Sequence, residues 1–225
     1  MPIKIKTITL PLFLRMGEVN CYLVDTGEGY ILIDTGGPNN RKELVRELER
    51  FGCKPGTLNL IVLTHGDFDH TGNAAYLRSA FGAKIAMHAD DAGMAERGDM
   101  FVNRRRMNAL IRRLIPLFAG FGRAERFTPD IRLDDGDDLN EYGLDARVIS
   151  IPGHSKGSIA ILTGDGELFC GDLFENRKGP ALSSIMDKIE VAKESLQKLR
   201  EMRIDMVYPG HGEPFKMHEV KKASA

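Results

Sequence analysis

Charge of one sign is what this 225-residue chain has least of. Its 31 basic and 32 acidic residues leave a formal net charge of −1, so nothing global points to a nucleic-acid partner or an acidic tail. Cysteine is scarce as well. Cys21, Cys53 and Cys170 are odd in number and widely spaced, which argues against a disulfide framework and against a Cys-x-x-Cys site. A reducing interior is the simpler setting. No apolar run approaches the ~20 residues that would span a bilayer. Lys4 and Lys6 interrupt an alternating pattern instead of preceding an apolar core, so no signal peptide is expected, and the expected location is the cytoplasm. Low-complexity stretches and flexible linkers are missing too. The expectation is one domain over residues 1–225, long enough for an ample core.

What is present reads as alternating strand and helix signals. Ile3 to Ile8 alternates with period two, as a half-buried strand does. Val19 to Val24 and Tyr30 to Ile33 follow, joined by the turn chemistry of Asp25-Thr26-Gly27-Glu28-Gly29. A helix is predicted from about Asn40 to Phe51, stopped by Gly52. Leu60 to Leu63 reads as a buried strand, Ala74 to Phe81 as a helix and Lys84 to Met87 as a short strand. Later strands are predicted at Ile131 to Leu133, Ala146 to Ile151, Ser158 to Leu162, Glu167 to Cys170 and Met206 to Tyr208. A helix is predicted at Ser184 to Met202.

Between Arg97 and Arg126 the composition changes. Eight arginines face two acids there, a local net charge of +6. Met107, Leu110, Ile111, Leu114 and Phe118 form a helical stripe, and Arg105, Arg106, Arg112 and Arg113 fall mostly off it. The gap is too long for an ordinary connection, so a helical insertion is expected at about 90–127. A solvated basic face is the commonest reading of such a helix. The functional readings are a lid over a cleft, a membrane-surface contact, or a partner or homodimer surface. Arg104 to Arg106 would favour an anionic small-molecule substrate.

The chemistry gathers in Thr64-His65-Gly66-Asp67-Phe68-Asp69-His70, where four metal-competent side chains fall within six residues after an apolar run. Two imidazoles and two carboxylates suit zinc, manganese or iron. Three further residues share the setting of an apolar strand followed by a Gly-containing turn. They are His154 in Pro152-Gly153-His154-Ser155, Asp172 after Leu168-Phe169-Cys170-Gly171, and His211 in Pro209-Gly210-His211-Gly212. Glycine permits the tight backbone that brings several loops to one point. His88 and His218 lack this context and read as hydrogen-bonded surface or rim histidines, and Cys170 reads as a core thiol with a ligand role as the alternative.

Together with Asp34 in Leu32-Ile33-Asp34-Thr35-Gly36, these signatures resemble the metallo-β-lactamase superfamily in identity and order from Asp34 to His211. The resemblance implies an α/β (α+β) fold, a four-layer αββα sandwich with the metal site at one edge. It implies a first metal on His65, residue 67 and His154, and a second on Asp69, His70 and His211. Asp172 would bridge them and Asp34 would support the ligand loop. A hydroxide between the metals would be the nucleophile, oriented by Asp69. The family pattern is His-x-His-x-Asp-His, and this chain departs from it at residue 67, which is Asp. Either Asp67 coordinates and gives a more anionic site, or it misses and leaves one dependable metal. Coordination is the preferred reading. The expected cofactors are two divalent ions, zinc first, with iron or manganese brought in by Asp67. The implied activity is hydrolysis of an ester, thioester, lactone or phosphoester. The alternatives are a non-haem iron oxidoreductase, of the sulfur dioxygenase or flavodiiron kind, and a non-catalytic metal-binding relative.

Overall fold

Apolar residues that alternate along a strand are delivered to two opposite faces, and this builds the layers. The computed structural model describes residues 3–12, 17–102, 104 and 122–220. Strands β1 (Lys4–Pro11), β2 (Glu18–Asp25) and β3 (Tyr30–Ile33) form an antiparallel meander. The same sheet continues in parallel through β4 (Leu58–Val62), β5 (Lys84–His88) and β6 (Ile131–Leu133), in the order β1-β2-β3-β4-β5-β6. The second sheet holds β7 (Ala146–Ser150), β8 (Ile159–Thr163), β9 (Glu167–Asn176), β10 (Ala181–Leu182), β11 (Met206–Gly212) and β12 (Phe215–Lys216). Its order is β12-β11-β9-β8-β7, with β10 paired to β9, and β11 runs parallel to β9. Both sheets are therefore mixed.

Three apolar clusters mark the spaces between four layers. One packs Val19, Cys21 and Leu23 of β2 against Leu44 and Leu48 of α1 (Arg41–Arg50) and Leu77 and Phe81 of α3 (Ala74–Phe81). The second joins the two sheets, with Tyr22, Val24, Ile31, Ile33, Leu60 and Val62 on one side. Val148, Ile159, Ile161 and Phe169 face them from the other. The third packs Leu168 and Cys170 of β9 against Ala192, Leu196 and Leu199 of α5 (Ile189–Arg200). The neighbours Tyr22 and Leu23 thus serve different cores, as an alternating strand demands. This is the αββα sandwich.

Several boundaries differ from the sequence expectation. The helix expected from Ser184 begins at Ile189. The five residues before it are not helical because they serve the site: Ile185 gives its carbonyl to His154, and Asp187 pairs with Arg104. Strands β9 and β11 run past their expected ends, so Asp172 and His211 lie within strands and not after them. Gly171 at φ +49° and register shifts at Tyr208/Pro209 and Pro209/His211 supply the local kinks that still turn both side chains to one edge. Helix α4 (Ala89–Arg97), at the start of the span expected to hold a helical insertion, begins at an N-cap where His88 Nδ1 accepts from Asp90 N, with Asp90 and Asp91 in its positive first turn. The expected basic stripe, Met107 to Phe118 with Arg105, Arg106, Arg112 and Arg113, lies outside the described residues. Among the described residues no helix is long and apolar enough to cross a membrane.

Candidate metal centre

The loop after β4 and the short helix α2 (Phe68–Thr71) carry His65, Asp67, Asp69 and His70. The loop after β7 carries His154, β9 carries Asp172, and β11 carries His211. All seven meet at the same edge of the sandwich. His154 Nε2 lies 3.1 Å from Asp67 Oδ2 and 3.9 Å from Asp172 Oδ2. His65 Nε2 is 3.7 Å from Asp67 Oδ2. On the other side, His70 Nε2 is 3.3 Å from Asp172 Oδ1, and His211 Nε2 is 3.2 Å from Asp172 Oδ2. Asp69 Oδ2 is 3.9 Å from His70 Nε2 and 3.6 Å from His211 Nε2. Asp172 therefore touches both groups.

The imidazoles are oriented from behind. His154 Nδ1 donates to the Ile185 carbonyl, and His211 Nδ1 donates to the Glu18 carbonyl. His70 Nδ1 donates to Asp34 Oδ2 at 2.9 Å. The Thr64 hydroxyl donates to Asp34 Oδ2, so its oxygen is left to accept from His65 Nδ1 at 3.0 Å. With every Nδ1 acting as a donor, all four rings present the Nε2 lone pair to the cluster, the tautomer a metal requires. Asp34 lies close enough to His65 and His70 to count among cation-binding groups. Its oxygens are already engaged by Thr64 N, Thr64 Oγ1 and His70 Nδ1, so it works as a support.

The residues fit divalent cations. Among the described residues, His65 Nε2, His70 Nε2 and Asp172 Oδ1 are buried without a hydrogen-bond partner, and all three face this space. His65, His154 and Asp172 form one set of mutually close donor atoms, and Asp69, His70 and His211 form another. Buried imidazole nitrogens and carboxylates left unsatisfied are costly unless something cationic lies between them.

Without such a cation, protons take its place. Burial lowers the pKa of His154, but the hydrogen bond and charge of Asp67 outweigh it and raise the pKa to about 9. Burial likewise opposes the charged forms of His70 and His211, yet Asp172 raises both. His65 is pushed down, by burial first and then by its neighbours His70 and His154. Burial would lift Asp67, but Arg104 and the imidazoles hold it well below the usual carboxylate range. Asp69 is raised, chiefly by loss of solvent.

Several supporting groups were not visible in the sequence. Asp91 of α4 is fully buried and accepts from Gly66 N, Ser155 Oγ and Gly157 N at 3.0, 2.6 and 2.8 Å. It ties the His65 loop to the His154 loop. Asn20 and Tyr22 of β2 both donate to the Pro209 carbonyl, fixing the His211 segment to the first sheet. Gly210 leaves room that a side chain would not: a Cβ there would strike Asp172 Oδ1 and His70 Cε1. Arg104 pairs with Asp67 at 2.6 Å. The arginine was noted in the sequence for substrate binding, not for this contact. His88 caps α4, and Cys170 sits in the third core with its thiol pKa pushed up by burial.

Comparison with known proteins identifies the family. The sequence profile of the family described as "Metallo-beta-lactamase superfamily" matches residues 14–211. A probable metallo-hydrolase, MJ0888 of Methanocaldococcus jannaschii, is 30% identical over 202 residues, covering 86% of this chain and 87% of its own. The acyl-coenzyme A thioesterase MBLAC2 of Bos taurus is 29% identical over 217 residues, covering 88% of this chain and 74% of its own. Among solved structures, TTHA1623 in a di-iron-bound form superposes with a TM-score of 0.68 at 28% identity, covering 93% of this chain and 95% of that one. By its layers, its edge cluster of histidines and aspartates, and a profile match over most of its length, the chain belongs to the metallo-β-lactamase superfamily.

Proposed function

We propose that this chain is a metal-dependent hydrolase with a two-ion centre. The first ion is assigned to His65, Asp67 and His154, and the second to Asp69, His70 and His211, with Asp172 shared. Zinc is the expected metal. The observation that carries the reading is the convergence of four Nε2 atoms, each with its Nδ1 engaged elsewhere, on Asp67, Asp69 and Asp172. Divalent ions bound there supply Lewis acidity and bring the pKa of water toward neutrality. The chain's own part is to place and to accept. Asp69 is the most open of the three carboxylates, with 30% of its side chain exposed. That exposure leaves it within reach of an attacking water, which it would orient. The imidazoles are held from behind by the Ile185 and Glu18 carbonyls, Asp34 and the Thr64 hydroxyl.

The substrate class favoured is an acyl thioester or ester, supported by the thioesterase among the relatives. The test is metal analysis of protein purified without chelator, together with turnover of acyl thioester, aryl ester, lactone and phosphodiester panels. Two zinc ions per chain and chelator-sensitive thioester or ester hydrolysis are expected. No retained metal and no metal-dependent turnover would overturn the reading. A second reading, iron in the same centre with oxygen consumption instead of hydrolysis, is favoured by the extra carboxylate at residue 67 and by the di-iron form of a structural relative. Iron content with oxygen uptake would select it.

A further inference from the structure

Asp67 divides its two oxygens between two tasks. Oδ2 faces the imidazoles, 3.1 Å from His154 Nε2 and 3.7 Å from His65 Nε2. Oδ1 faces away from them, 2.6 Å from Arg104 Nη1. The same guanidinium is flanked on its other side by Asp187, whose Oδ2 lies 3.1 Å from Arg104 Nε. The Arg104 side chain is only 7% exposed. It comes from the turn that follows α4, and Asp187 from the segment that precedes α5. A buried arginine needs a reason, because its charge loses hydration unless anions replace it.

We propose that Arg104 is a positioning residue, the built-in counter-cation of Asp67, and that the Asp67–Arg104 pair stands in for the imidazole of the His-x-His-x-Asp-His pattern. The proposal rests on the metal-centre reading above. An Asp in place of a neutral imidazole adds one negative charge at the first ion, and the guanidinium offsets it. By holding Oδ1, Arg104 also limits Asp67 to one oxygen toward His65 and His154, which matches the single donor atom an imidazole would offer. Asp187 lies farther out, with 27% of its side chain exposed, and keeps the guanidinium in place. The competing role for Arg104, seizing an anionic substrate, fits less well. Its Nη1 and Nε already lie 2.6 and 3.1 Å from carboxylates, and only 7% of the side chain is exposed.

The pair predicts a reversal that a merely structural contact would not give. Asp67→His alone leaves the guanidinium with only the more exposed Asp187 as its anionic partner, beside a divalent ion. First-site zinc affinity should then fall about 10–100-fold, the usual size of a loss behind a metal ligand. Adding Arg104→Met to Asp67→His should recover most of that loss, whereas adding Arg104→Lys, which keeps the charge, should not. The experiment is chelator competition with zinc as the probe on wild type, Asp67→His and the two double variants, with zinc per chain counted after dialysis. Melting temperatures of the metal-free proteins identify any variant that fails to fold, in which case Asp67→Asn replaces Asp67→His in the same cycle. Recovery with Met but not Lys supports the proposal. Additive losses, or an Asp67→His affinity equal to wild type, overturn it while leaving the metal centre intact. A wild-type chain that binds no zinc or other divalent ion overturns the metal-centre reading itself, and the proposal with it.

Discussion

Asp34 is the residue whose replacement says most about how the site is built. It is 2% exposed, and at φ +60° it is the only non-glycine with positive φ among the described residues. Oδ1 accepts from Thr64 N at 2.9 Å, and Oδ2 accepts from Thr64 Oγ1 at 2.8 Å and His70 Nδ1 at 2.9 Å. Asparagine fits the same space and tolerates the left-handed backbone. Its carbonyl oxygen can keep Thr64 N, but its amide nitrogen then meets two donors. His70 can satisfy that amide only by moving its proton to Nε2, the atom that should face a metal. A hydrogen bond to a buried charged group is worth about 1.5–3 kcal/mol, so Asp34→Asn, which disturbs two, should cost roughly 3–6 kcal/mol. Second-ion affinity should fall about 10–100-fold. Asp34→Gly and Asp34→Ala separate hydrogen bonding from strain. Both lose all three acceptor contacts, but alanine adds the left-handed cost of about 1–2 kcal/mol. Glycine should therefore be the more stable of the two, by about 1 kcal/mol once its own loss of backbone entropy is set against that. The assays are urea unfolding of the metal-free proteins and zinc content after dialysis. An Asp34→Asn protein with the wild-type unfolding midpoint and wild-type zinc content would refute the hydrogen-bond account. An alanine variant more stable than the glycine variant would refute the strain account.

Two other outcomes follow from the same geometry. Asp91→Ala strips acceptors from Gly66 N, Ser155 Oγ and Gly157 N and should cost about 2–4 kcal/mol, with zinc content falling because two ligand loops loosen together. An unchanged unfolding midpoint would count against it. In the metal-free protein the His154 pKa is raised from 6.5 to about 9, so zinc must displace a proton near neutral pH and bind more tightly as pH rises toward that value. Calorimetric heats should then differ between buffers of different ionisation enthalpy, and equal heats would refute the assignment. The sign for stability is opposite. A raised histidine pKa stabilises the metal-free fold fully below 6.5, and that contribution disappears as pH climbs through about 9, which melting curves across the range would record.

The residues of the cluster were legible because their context is local. His65, His154 and His211 each lie beside a glycine in a turn after an apolar run, and such patterns report strand, turn and exposure within a few neighbours. The sandwich was implied by the family resemblance, and in the structure alternation carries it, as in Tyr22 and Leu23 feeding different cores. What stayed hidden depends on partners far away along the chain. Nothing near Asn20 or Tyr22 announces the Pro209 carbonyl, 189 and 187 residues on. Ser184 to Lys188 carries helical periodicity into α5, yet tertiary demands from His154 and Arg104 hold it out of the helix. Nothing in the sequence marks Asp91, because a buried acceptor and a solvated one read alike there. Arg104 stood among neighbouring arginines, and only the fold separates it from them by bringing it to Asp67.

The uneven distribution of the seven cluster residues along the chain bears on how the protein is made. His65, Asp67, Asp69 and His70 lie within six residues, whereas His154, Asp172 and His211 arrive only when the second sheet docks. On the metal-centre reading, the first half would therefore carry four of the seven ligands before any sandwich exists. A ligand that also binds the unfolded chain stabilises the native state only by the difference between the two affinities. Metal captured early by this heptad would be carried into the fold, and the extra stability of the loaded protein would measure what the second half adds.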